Sequence, residues 1–82
     1  MDIVIDRLSP VPAKRQLANA LRKMIADGEL PVDEETQKMR LPSIHALITE
    51  TGLALNTVRG AFDLLRQDGL IVTVPGRGTF VL

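Results

Sequence analysis

Two arginines of this 82-residue chain stand in settings suited to gripping a polyanion. Arg77 lies between two glycines in Pro75-Gly76-Arg77-Gly78, where the lack of flanking side chains lets backbone and guanidinium approach a ligand together. Arg59 closes the run Asn56-Thr57-Val58-Arg59, which offers an amide, a hydroxyl and a guanidinium within one helical turn. Such groups hydrogen-bond phosphate oxygens and base edges. Hydrolytic and metal chemistry has no comparable footing. The chain has no cysteine and one histidine, so thiolate ligands, disulfides and a cysteine nucleophile are excluded. His45, next to Ile44, Ala46 and Leu47, has no partner for metal binding or proton transfer. With neither paired carboxylates in a foreseeable cleft nor a nucleophile and base, the chain is expected not to be an enzyme, and no cofactor is expected.

Each of these residues also has a plainer reading. Arg59 can pair with Asp63 at i,i+4, an exposed contact worth a few tenths of a kcal/mol, and Arg77 can simply solubilise a turn. Thr57 can bond back into its own helix. Gly60 costs about 1 kcal/mol relative to alanine inside a helix, which the close approach of DNA or of another helix would explain. His45 reads as a solvated helix residue or a phosphate contact. Asp33-Glu34-Glu35 reads as a solvated loop whose charge would repel DNA and so help to orient the domain.

Elements to position these groups follow from spacing and punctuation. Ile3-Val4-Ile5 predicts an extended arm or short edge strand, and Ser9-Pro10-Val11-Pro12 breaks it. Residues 1–9 are therefore read as an N-terminal arm and 10–82 as one domain. Leu17, Leu21, Met24 and Ile25 recur at helical spacing, predicting a helix from about Ala13 to Asp27 that Gly28 and Pro31 end. Val32 to Lys38 is expected to be an irregular exposed loop. Ser43 is placed as N-cap of a short second helix ending near Gly52, and Asn56 as N-cap of a third whose buried stripe is Val58, Ala61, Phe62 and Leu65. Asn56, Arg59, Gly60, Asp63 and Gln67 then share its outer face. Leu70 to Val74 and Thr79 to Leu82, joined by the glycine-rich turn, predict a β-hairpin.

This order predicts a mainly α winged helix-turn-helix, three helices plus a wing, whose third helix enters a major groove about 12 Å wide. Arg40, Ser43, His45, Leu55, Asn56, Thr57, Arg59, Gly76, Arg77 and Gly78 are the candidate DNA-binding residues. Net charge is zero, which by itself argues for the alternative of a protein-interaction module. The charge is uneven, however: residues 1–35 carry five cations against seven carboxylates, and residues 36–82 five against three. With no cysteine, no apolar run near the ~20 residues of a bilayer span and no leader pattern, a cytoplasmic chain is expected, with no membrane partner.

The chain also resembles the GntR family of bacterial transcription regulators from about Ser9 to Val81. The resemblance is carried by Asp27-Gly28-Glu29-Leu30-Pro31, Leu41-Pro42-Ser43, Asn56-Thr57-Val58-Arg59, Leu64-Leu65 with Asp68-Gly69-Leu70-Ile71, and Gly76-Arg77-Gly78-Thr79-Phe80-Val81. It implies a repressor bound to a double-stranded DNA operator, as a homodimer where two copies occupy symmetric half-sites. It also implies that Ser43 and the residues after it meet the backbone, that the start of the third helix reads bases, and that the hairpin tip enters the minor groove. Thr57, Arg59, Gly76 and Arg77 match the family's contact positions. Most members carry Arg where this chain has His45 and Leu55. A histidine can donate to phosphate and a leucine can touch a thymine methyl, but neither replaces an Arg–guanine pair worth about 1–3 kcal/mol. The family normally adds a larger C-terminal effector and dimerisation domain; a chain ending at the hairpin is expected to be a natural short form or an isolated domain, without an effector pocket.

Overall fold

A computed structural model describes residues 3–82 of the chain; Met1 and Asp2, the first residues of the expected arm, lie outside the described residues. Three helices, α1 (Ala13–Ala26), α2 (Ile44–Thr51) and α3 (Leu55–Gln67), precede the strands β1 (Ile71–Val74) and β2 (Gly78–Val81). The apolar stripes form as their spacing requires. Leu17, Ala18 and Leu21 of α1 are buried against Val58, Ala61, Phe62 and Leu65 of α3, and Leu47 of α2 joins them. Lys14 lies against Gly60 at one end of the α1–α3 pair, and Arg22 is ion-paired with Asp68 at the other. The two helices therefore run in the same direction, with their N-termini at one end.

The helix-turn-helix is set by local chemistry. Ser43 Oγ accepts the Ala46 N–H at 3.0 Å, capping α2. Gly52 ends α2 at φ +71°, a left-handed conformation that costs a β-carbon-bearing residue energy. Helix α3 begins two residues earlier than an N-cap at Asn56 would place it. Ala54 is its N-cap and Asn56 lies inside the first turn, so Asn56 does not cap it. The turn is short because Leu53 is buried in the core, with its N–H bonded to Thr51 Oγ1 at 3.2 Å, and this leaves Ala54 extended at φ −68°, ψ 154°.

The hairpin pairs Ile71 with Val81, Val72 with Phe80, Thr73 with Thr79 and Val74 with Gly78. Ile71 and Phe80 are both buried, but the register places them on opposite faces of the hairpin, Ile71 sharing a face with Val81 and Phe80 with Val72. The expected irregular loop proves more ordered. Val32 bridges Met39, Asp33 N–H donates to Lys38 C=O at 2.8 Å, and Gln37 turns the chain at φ +60°. Met39 to Leu41 then runs beside β2, with Leu41 N–H on Thr79 C=O at 2.9 Å and Val81 N–H on Met39 C=O at 2.8 Å. The hairpin thus has a third, extended neighbour that covers the outer edge of β2. Sequence could not reveal it, since its partners lie about forty residues away.

No strand forms at Ile3 to Ile5. Ile3 is buried in the core, and the arm's polar groups go to a side chain: Gln16 accepts the Asp6 N–H and donates to Asp6 and Val11 C=O, each at 2.8 Å. Arg7 ties the arm to the end of α2 through Thr51 C=O at 3.3 Å. No helix among the described residues is long and apolar enough to cross a membrane.

Candidate nucleic-acid interface

The candidate residues are brought together in three groups rather than one. A groove of about 310 Å³ is lined by Arg40, Ser43, His45, Leu55, Arg59 and Gly78, with Leu41, Pro42, Ile44, Phe62 and Thr79 completing it. Six residues from four segments of sequence, the start of α2, the first two turns of α3, the residue before Leu41 and the first residue of β2 beside the hairpin tip, thus face one another. Arg59 is exposed and forms no ion pair among the described residues. Its foreseen partner Asp63 binds Arg66 instead, at 2.8 Å. Leu55 is 39% exposed beside it, an apolar side chain on a polar edge. His45 is exposed at the same rim.

Asn56 and Thr57 belong to a second cleft, of about 330 Å³, that they share with Pro12, Ala13 and Lys14 of the arm and α1. Sequence reasoning passed over Lys14. The available signal was Gly60, a glycine in a helix interior that must make room for something.

Gly76 and Arg77 form the third group, at the hairpin tip. Arg77 is ion-paired with Glu35 of the 32–38 turn, and both side chains are substantially exposed. Arg40 braces the tip from below. Its Nη2 donates to Arg77 C=O at 2.7 Å, and its guanidinium carbon sits 5.9 Å from the Phe80 ring centroid, within cation–π range. Gly78 makes this possible: at φ +132°, a β-carbon there would come within 3.0 Å of Arg40 Nε. Arg66 links the hairpin to α3 by donating to Thr73 Oγ1 at 2.7 Å, and Thr73 Oγ1 lies 3.2 Å from Thr79 Oγ1 across the ladder. The hairpin is therefore fixed against the helix whose outer face carries Arg59.

Charge within the 32–38 turn is locally managed. The Thr36 N–H, 2.9 Å from Asp33 Oδ2, holds the Asp33 carboxyl below its ordinary value of 3.8; the Thr36 hydroxyl and then the charges of Arg77 and Arg40 add to the effect, against some desolvation. A larger concavity, about 610 Å³, lies between Ile3, α1 and the Leu30-Pro31 segment, and gathers none of the candidate residues.

Comparison with known proteins gives the arrangement its context. The family described as "Bacterial regulatory proteins, gntR family" matches residues 13–81. The chain is 44% identical over 80 residues to an HTH-type transcriptional regulator of Mycobacterium tuberculosis, a match that covers 98% of this chain and 28% of that protein. It is 38% identical over 77 residues to the HTH-type transcriptional repressor NagR of Bacillus subtilis, covering 94% of this chain and 30% of NagR. The chain thus spans less than a third of the length of these relatives. Among solved structures, AraR(DBD) in complex with operator ORX1 superposes with a TM-score of 0.80 at 26% identity, covering 96% of this chain and 94% of that one.

Proposed function

Because the chain belongs to the GntR family of bacterial regulatory proteins, we propose that it binds a double-stranded DNA operator, with α3 in the major groove and the β1–β2 hairpin on the backbone and minor groove. The observation that carries this reading is the shared groove, in which Arg59 of α3, with no ion-pair partner among the described residues, faces Ser43 of the α2 cap and Gly78 beside the hairpin tip. A helix with its side chains is 10–12 Å across, matching a major groove about 12 Å wide. In this pose Arg59 reads a guanine edge, Leu55 meets an apolar base feature, and Ser43, His45 and Thr57 meet phosphates. Arg77 exchanges Glu35 for phosphate, which costs little because an exposed ion pair is weak in water. Arg40 acts chiefly by holding the tip in place.

The reading extends to regulation. NagR is named a repressor, and occupancy of an operator by this chain would block transcription in the same sense, in the cytoplasm where the DNA lies. We assign it a binding role and no catalytic one. Residues 10–82 are proposed as the DNA-binding unit and residues 1–9 as an arm upon it. Two copies would engage half-sites about one helical turn apart.

Selecting bound duplexes from a random pool and titrating the winners with salt is the test. A common half-site should emerge, and affinity should fall steeply as salt rises. Absence of duplex binding at low salt, or binding indifferent to salt, would overturn the proposal in favour of a protein-interaction module.

A further inference from the structure

Gly60 sits in the middle of α3, where glycine is a poorer helix former than any residue but proline. The structure shows what occupies the space. A β-carbon at Gly60 would lie 3.1 Å from Lys14 Cδ and 3.7 Å from Lys14 Cβ, so the Lys14 stem lies across α3 where a side chain would otherwise stand. Lys14 is exposed and forms no ion pair among the described residues. Its cleft with Asn56 and Thr57 shares no residue with the groove that holds Leu55 and Arg59. The first turns of α3 are thus flanked by two concavities, one on the hairpin side and one on the α1 side. At about 100° per residue, Asn56 and Gly60 lie a quarter-turn or so around the helix from Leu55 and Arg59.

A helix seated in a major groove lies between two ridges of phosphate. The hairpin serves one ridge; the other needs a cation on the α1 flank. We propose that Lys14 binds a DNA backbone phosphate on that flank, and that Gly60 is the positioning residue that lets the lysine lie against the reading helix. The ammonium is a compact donor on a flexible stem, which suits a phosphate oxygen and carries no base preference. This inference rests on the major-groove reading of α3.

Salt titration of the 82-residue chain on a duplex selected from a random pool tests it. Lys14→Met keeps the apolar stem and removes the charge; binding should weaken several-fold, with a log–log salt slope shallower by about 0.9. Lys23→Met removes the same charge from the other end of α1 and should leave the slope as it was. Gly60→Ala should weaken binding as Lys14→Met does, but add no further loss in the Lys14→Met background. Its thermal unfolding midpoint should not fall, because alanine is the better helix former. An unchanged slope in Lys14→Met, an equal slope change in Lys23→Met, or a full additional loss from Gly60→Ala in the Lys14→Met background would each overturn the assignment. If the parent chain binds no duplex in a salt-dependent way, the major-groove reading falls too; steep salt dependence that ignores Lys14 sinks the lysine alone.

Discussion

Arg59 and Arg77 are both exposed arginines, yet their surroundings give them different work. Arg59 has no carboxylate partner among the described residues and faces a groove built by three other segments, so its loss should act on one base. Arg59→Ala is expected to cost about 1–3 kcal/mol of affinity and to relax preference at one position of the half-site, read by competition among duplexes that differ there. Arg77 sits beside Glu35 at a turn. Arg77→Ala should weaken binding to all sequences alike and make the salt slope shallower by about 0.9. Asp33 supplies a pH test of the neighbouring turn. Its carboxyl is depressed in the folded chain, chiefly by the Thr36 N–H, so the hydrogen bond is fully formed above the unfolded value near 3.8 and is lost as pH falls through the lower folded value. The Thr36 amide should show an acid transition in its chemical shift that Asp33→Asn abolishes; persistence of that transition in the variant would assign it elsewhere.

At the scale of elements, α2 matters most for its beginning. Ser43 Oγ satisfies the Ala46 N–H, and Ser43→Ala should lower stability by about 1 kcal/mol, seen as a reduced thermal midpoint. DNA affinity should fall as well, since the same hydroxyl lines the groove; an unaltered midpoint would mean water replaces the cap without loss. The three helices and the hairpin were legible in the chain because each announces itself locally, through apolar spacing, a capping serine and left-handed glycines. Asn56 misled because it is a good capping residue two positions too late. Burial of Leu53, which no local propensity reports, moved the start of α3 back to Leu55. The third extended segment at Met39 to Leu41 escaped notice for a similar reason: its hydrogen bonds go to Thr79 and from Val81, and its apolar–polar–apolar alternation is too short before Pro42 to predict them.

For the whole molecule, the arm, α1, α2, α3 and the hairpin share one core, from Ile3 to Ile71. A chain of this size buries only ~60% of the surface its unfolded state exposes, so single core contacts weigh heavily. Phe62 is 2% exposed and also lines the groove, joining core to interface. Phe62→Ala should cost about 3–5 kcal/mol, a large share of a total near 5–15 kcal/mol. Denaturant unfolding would measure it, and a loss below about 1 kcal/mol would show that neighbouring side chains collapse into the space.

The amino-acid sequence alone determined the element order, the apolar stripes, the capped α2 and the glycine-flanked tip, because helix periodicity, caps and turns are decided within a few residues. It also carried the motifs by which the family is recognised. Tertiary structure alone decided which of those residues meet: Arg59 with the tip end of β2 rather than with Asp63, Arg77 with Glu35, Arg40 beneath the tip, and Lys14 across Gly60. Those pairings join positions as much as forty-six residues apart. They arise from how α1, α3 and the hairpin pack, which depends on the shape of the whole core and not on any local run of residues.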